Sequence, residues 1–112
     1  MKRYCLTLDL KDDPALIAEY RRYHGAGQIW PEVSDALRKA GVLSSEIYLL
    51  GTRMVMVLET VDAFSFETKA AIDSASERVQ DWERLMWKFQ KPLPGSKPGE
   101  KWLLMEKIFE LG

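Results

Sequence analysis

The sequence predicts an α+β fold of the ferredoxin-like, split βαβ kind, with its elements in the order βαββαβ. Three observations carry this expectation. Residues 2–10 and 43–60 hold apolar, β-forming runs, bounded by turn residues. The stretches between and after them repeat apolar side chains at helical spacing. Finally, only Gly51-Thr52-Arg53 separates the two central strand segments, a turn short enough to impose an antiparallel hairpin.

Each element has its own signals. Residues 2–10, Lys-Arg-Tyr-Cys-Leu-Thr-Leu-Asp-Leu, form the first strand. Asp13 then offers an N-cap carboxylate and Pro14 a first helical position, so a helix begins there and runs through Leu16, Ile17, Tyr20 and Tyr23. Gly25-Ala26-Gly27 interrupts it. A second helix starts near Trp30-Pro31-Glu32, repeats Val33, Ala36, Leu37 and Ala40 on one face, and ends at Gly41. Residues 43–50 and 54–60 are the hairpin strands. Asp62 opens a third helical stretch through Phe64 and Ala71. Ser76 with Val79, Trp82, Leu85, Met86 and Phe89 marks a more regular helix. Residues 91–99 hold three prolines and two glycines and read as a loop. A final strand is expected from Lys101 to Leu111.

Helices in this topology cover one sheet face. The other face is expected to meet a second copy of itself, giving a homodimeric α+β barrel with the sheets packed face to face. The 91–99 loop is long enough to carry the last strand towards the partner chain.

With 112 residues, one domain spanning 1–112 is the expectation. Hydrophobic residues make up 46% and charged residues 29%, enough apolar content to exclude whole-chain disorder. A formal net charge of −1 leaves no electrostatic footprint for nucleic acid or an anionic membrane. Cys5 is alone, which excludes an intrachain disulfide framework and any cysteine-based metal cluster. Asp9 cuts short the apolar run after Met1-Lys2-Arg3, so no secretory signal is read. No run approaches the ~18 apolar residues of a membrane-spanning helix. These points together predict a cytoplasmic protein.

His24 is the sole histidine and closes the first helix just before the glycine break. The helix dipole favours a cation at that position, which accounts for a histidine there without any chemistry. Tyr20, four residues earlier, projects from the same helix face. A phenol and an imidazole side by side can donate to and accept from one set of hydroxyl groups. Arg22, Trp30 and Glu32 lie close in sequence. Pro31 and Glu32 also suit a helix N-terminus on structural grounds alone.

These residues carry a resemblance. Glu19-Tyr20-Arg21-Arg22-Tyr23-His24, followed by Ile29-Trp30-Pro31-Glu32-Val33, resembles the signature of L-rhamnose mutarotases. Ile47-Tyr48-Leu49 and Val79-Gln80-Asp81-Trp82 are similar to the same family, so the likeness spans nearly the whole chain. The resemblance implies a dimeric α+β fold and cofactor-free interconversion of α and β pyranose anomers. It implies a catalytic role for His24 as proton donor, Tyr20 on the sugar, and a later Trp-Trp pair in the pocket. Here that pair reads Trp82-Glu83, and a further indole stands at Trp87. The gap between His24 and Ile29 is also two residues longer than the family pattern. The Trp82–Phe89 stretch and Pro98-Gly99-Glu100-Lys101-Trp102 look more like L-fucose mutarotase members.

The expectation is therefore an isomerase acting on a 6-deoxy-L-hexose, L-fucose ahead of L-rhamnose, by general acid–base ring opening and closing. Its catalytic residues are His24 and Tyr20. Its substrate-binding residues are Arg22, Trp30, Glu32, Trp82, Glu83 and Trp87, with Glu32 and Glu83 as candidate proton partners for His24. Trp102 is assigned to the core or the dimer interface. No cofactor is expected, and one histidine without an acidic cluster at ligand spacing offers no metal site. Two other classes compete: a cofactor-independent monooxygenase or haem-binding dimeric α+β barrel protein, with His24 as proximal ligand, and a non-catalytic ligand-binding module.

Overall fold

The computed structural model describes residues 1–112. Strand β1 spans Lys2–Leu10, and its alternation buries Leu6, Leu8 and Leu10 on one face. Helix α1 spans Pro14–Tyr23. The Asp13 carboxylate accepts the backbone N–H of Ala15 at 2.9 Å and of Leu16 at 3.2 Å, with Pro14 in the first turn where no donor is missed. Helix α2 spans Pro31–Lys39, strand β2 Val42–Leu50 and strand β3 Arg53–Thr60. Gly41 joins α2 to β2 at φ +95°, the left-handed region that a side chain disfavours.

Helix α3 spans Phe66–Ser74 and helix α4 spans Glu77–Met86. The expected start of α3 at Asp62 is four residues early. Ser65 is the cap, its hydroxyl accepting the Thr68 N–H at 3.1 Å. Phe64 lies before the helix and is buried against Leu6, Leu58 and Ala40. Helix α4 likewise starts after a capping serine, Ser76, but Phe89 lies beyond its end. That side chain joins the core from the turn leading to β4, Gln90–Lys91.

The sheet order is β2-β3-β1-β4, and every pairing is antiparallel. This is the predicted α+β, split βαβ arrangement. The expected final strand from Lys101 to Leu111 is reduced to β5, Leu103–Leu104, which also pairs with β1. β4 and β5 share one edge of β1, opposite Asp9–Leu10 and Leu6–Thr7 respectively. Beyond one further backbone bond, Met105 N–H to Cys5 C=O at 2.8 Å, the chain leaves the sheet. The side chains of Ile108, Phe109 and Leu111 there are exposed.

The register sets Leu6 opposite Met56 and Leu8 opposite Met54, and Ile47 opposite Met56 in turn. Because strand side chains alternate, these residues share the inner face, which the helices cover. Leu8, Leu10 and Met54 pack there with Tyr20, Trp82, Met86 and Phe89. Burying each such side chain contributes about 1.5–3 kcal/mol. The outer face carries the ion pairs Arg53–Asp9 and Arg3–Glu59 around half-buried Cys5, Val55 and Val57. No helix is long and apolar enough to cross a membrane.

Candidate active site

A cavity of ≈ 130 Å³ lies between the inner sheet face and the helices. Two adjoining spaces of ≈ 420 and ≈ 400 Å³ also have His24 and Ile47 in their walls, so the imidazole sits where all three meet. The apolar face of α1 delivers both Tyr20 and His24 to this place. Tyr20 is buried in the core, and His24 is the C-cap residue one turn later.

The two rings stack, with centroids 4.2 Å apart and planes at 27°. Trp82 of α4 meets the imidazole edge-on at 5.4 Å. His24 Nδ1 lies 2.8 Å from the Tyr20 carbonyl oxygen. A carbonyl can only accept, so Nδ1 carries the proton. In the neutral ring Nε2 is then the basic nitrogen. Burial lowers the His24 pKa from 6.5, opposed in part by that backbone hydrogen bond. Burial also pushes the Tyr20 phenol up to about 12; the Gln90 hydrogen bond lowers it and the Glu83 charge raises it. Histidine is thus held neutral and tyrosine held protonated, an acceptor beside a donor.

Gln90 completes this group. It is buried, and its Nε2 donates to Tyr20 Oη at a long 3.5 Å. Its Oε1 is buried with no partner. Exchanging the two amide atoms would let the phenol donate to Oε1 but would orphan the nitrogen, so one buried polar atom stands ready for a ligand in either orientation. Glu83 also lines the cavity; Lys101 Nζ binds both its carboxylate and its backbone oxygen at 2.7 Å. That pairing ties the segment before β5 to the end of α4.

Of the residues expected from the sequence, Tyr20, His24, Trp82 and Glu83 line this cavity together. Arg22, Trp30, Glu32 and Trp87 do not. Arg22 faces shallow surface grooves beside α1. Trp30 meets Trp82 edge-on at 5.2 Å, with the Arg78 guanidinium 4.1 Å over its own ring. Glu32 Oε1 accepts from Arg78 Nε at 3.3 Å, its Oε2 is buried without a partner, and neither lies in the wall of the cavity that holds His24. Trp87 caps α4 and packs under Lys101 Nζ at 4.7 Å. Trp102, assigned to the core or an interface, packs on both core clusters and reaches the cavity wall.

Sequence reasoning missed Gln90, Ser45, Lys69 and Asp73, which also line the cavity. Ser45 is set there by the β2 register, opposite Leu58. The signal available for Lys69 and Asp73 was their spacing of four on a helix with no clean apolar face.

The family profile described as L-rhamnose mutarotase matches residues 3–111. The chain belongs to the L-rhamnose mutarotase family. Among curated relatives, it is 49% identical to an L-fucose mutarotase of Xanthomonas campestris pv. campestris, over 99% of this chain and 89% of the relative. Among solved structures, it is similar to an L-rhamnose mutarotase of Formosa agariphila, with a TM-score of 0.71 at 18% identity over the whole of both chains. A tetracenomycin F2 cyclase of Streptomyces glaucescens gives 0.60 at 12% identity, covering 100% of this chain and 98% of that one. The two structural likenesses are of fold alone, and they agree with the predicted ferredoxin-like α+β class.

Proposed function

We propose that this member of the L-rhamnose mutarotase family interconverts the α and β anomers of a 6-deoxy-L-hexose, with His24 as base and Tyr20 as acid. The observation that carries the assignment is the Tyr20–His24 pair. A backbone carbonyl fixes the imidazole tautomer, while burial drives the two groups to opposite protonation states in one cavity.

The chemistry balances with these two groups. His24 Nε2 takes the proton of the anomeric hydroxyl while Tyr20 Oη gives a proton to the ring oxygen. The C1–ring oxygen bond breaks, its electron pair stays on the ring oxygen, and C1 becomes an aldehyde. Rotation about C1–C2 presents the other aldehyde face. Closure returns both protons, His24 now acting as the donor. Trp82 supplies apolar surface for the sugar, and Trp30 with Arg78 and Glu32 holds that indole in place. Gln90 orients the phenol and accepts one sugar hydroxyl.

The 49% identity to an L-fucose mutarotase supports L-fucose ahead of L-rhamnose. A homodimer is part of this reading, supported by the outer sheet face and the exposed Ile108, Phe109 and Leu111; a monomeric mass by sedimentation at micromolar concentration would remove it. A cytoplasmic location is also part of it, in keeping with a lone free cysteine. Saturation-transfer NMR of anomer exchange across L-fucose, L-rhamnose, D-galactose and D-glucose tests the function. Faster exchange of the deoxy sugars is expected, and no acceleration of any sugar would refute it.

A further inference from the structure

We infer that Lys69 and Asp73 form a hydroxyl-reading pair that sets which epimer the cavity accepts. This rests on the sugar mutarotase reading above.

Two features mark this ion pair. The first is burial. Lys69 Nζ and an Asp73 oxygen are 2.7 Å apart, with side chains only 24% and 19% exposed. The other pairs within helices, Arg38–Asp35, Arg78–Asp81 and Arg84–Asp81, have side chains 43–76% exposed. The second is order. Lys69 precedes Asp73 on α3, the less favourable arrangement for a pair four apart. It puts an anion in the last turn, at the negative end of the helix dipole, where α3 has no basic residue. Helix stability alone would favour the reverse order. A local rule broken in a cavity wall points to function.

Both residues line the cavity that holds His24 and Tyr20. α3 packs on α2 and α4, whereas His24 caps α1, so the ion pair and the imidazole enter the cavity from different helices. The unpartnered, buried Gln90 Oε1 in the same cavity independently calls for a hydroxyl-bearing ligand. With C1 and the ring oxygen at His24, a pyranose turns its C3–C4 edge away from the imidazole. A carboxylate accepts from one hydroxyl there while the adjacent ammonium donates to its neighbour. L-fucose carries its axial hydroxyl on C4 and L-rhamnose on C2. A pair reading C3 and C4 therefore distinguishes them, and a sugar of the wrong C4 configuration leaves a half-buried charge without its hydroxyl partner.

The test compares the wild type with Asp73→Asn, Lys69→Met and the reversing double variant Lys69→Asp/Asp73→Lys. Anomer exchange of L-fucose and L-rhamnose is followed over a concentration series, alongside thermal unfolding. The double variant keeps an ion pair and improves its order, so its unfolding midpoint should hold or rise. Its half-saturation concentration for L-fucose should nonetheless rise about tenfold to a hundredfold, the worth of a hydrogen bond to a charged group. The saturated rate should stay close to wild type, and the preference between the two sugars should shrink in all three variants. Unchanged half-saturation in a folded double variant overturns the inference and leaves the mutarotase reading standing. A double variant that cannot fold also overturns it, because the order would then be a packing requirement. A wild type that exchanges neither sugar removes the mutarotase reading, and this inference with it.

Discussion

Replacing His24 with alanine removes the proposed base and leaves the rest of the cavity wall in place. General acid–base catalysis contributes roughly 10²–10⁴-fold, so exchange should fall by that factor, about 3–5 kcal/mol on the barrier. The fold loses the 2.8 Å bond to the Tyr20 carbonyl and the 4.2 Å stack on the Tyr20 ring. At about 1 kcal/mol for each, the cost is about 2 kcal/mol, within the ~5–15 kcal/mol stability of a typical domain. The variant should therefore remain folded at 25 °C. The pH dependence separates chemistry from folding. Because the His24 pKa lies below 6.5, the wild-type rate should rise as pH increases through a value below 6.5 and then level off. The linked stability has the same sign: a depressed pKa gives a contribution present above 6.5 and lost as pH falls through the folded value. Saturation-transfer NMR between pH 4.5 and 8, with circular dichroism on the same samples, measures both. A folded variant with wild-type exchange, or one that keeps the acid-side inflection, would refute the assignment of His24.

Tyr20→Phe should slow exchange at least tenfold while retaining the stack on His24, as expected for loss of a general acid. Its phenol, raised from 10 to about 12, contributes stability that is present below pH 10 and lost as pH rises from 10 to 12. About 2 kcal/mol of alkaline destabilisation should therefore disappear in the variant, read by urea unfolding at pH 9 and pH 11.5. Gln90→Leu should raise the half-saturation concentration about tenfold by removing one hydroxyl contact, and cost about 1–3 kcal/mol of stability because the buried Tyr20 Oη loses its partner; unchanged half-saturation would remove Gln90 from the binding surface. Gly41→Ala places a methyl 2.6 Å from Val61 Cγ2 at φ +95°. It should cost about 2–4 kcal/mol from left-handed strain and overpacking, seen in denaturant melts; a loss below about 1 kcal/mol would contradict the conformation given to this turn.

Most of the fold and part of the site were legible in the chain because they depend on neighbours in sequence. Asp13-Pro14 caps α1, Gly41 ends the α2 turn, and Gly51-Thr52 closes the hairpin by local backbone preference alone. Tyr20 and His24 share a helix face because they are four residues apart, and their spacing with Trp30-Pro31-Glu32 sufficed to suggest the family. Tertiary structure decided the rest. Phe64 left the expected helix because burial in the second core cluster outweighs one more helical turn. The apolar pattern after Lys101 matched a strand, yet β4 and β5 share one edge of β1, and only Leu103–Leu104 pair there. Trp30 and Glu32 are near His24 in sequence but face Arg78, while Gln90, 66 positions beyond His24, lines the same cavity. Sequence spacing governs which side chains share one element's face. Which faces then meet depends on packing between elements distant in the chain, and there the protonation of Tyr20 and His24 and the pairing of Lys69 with the cavity were decided.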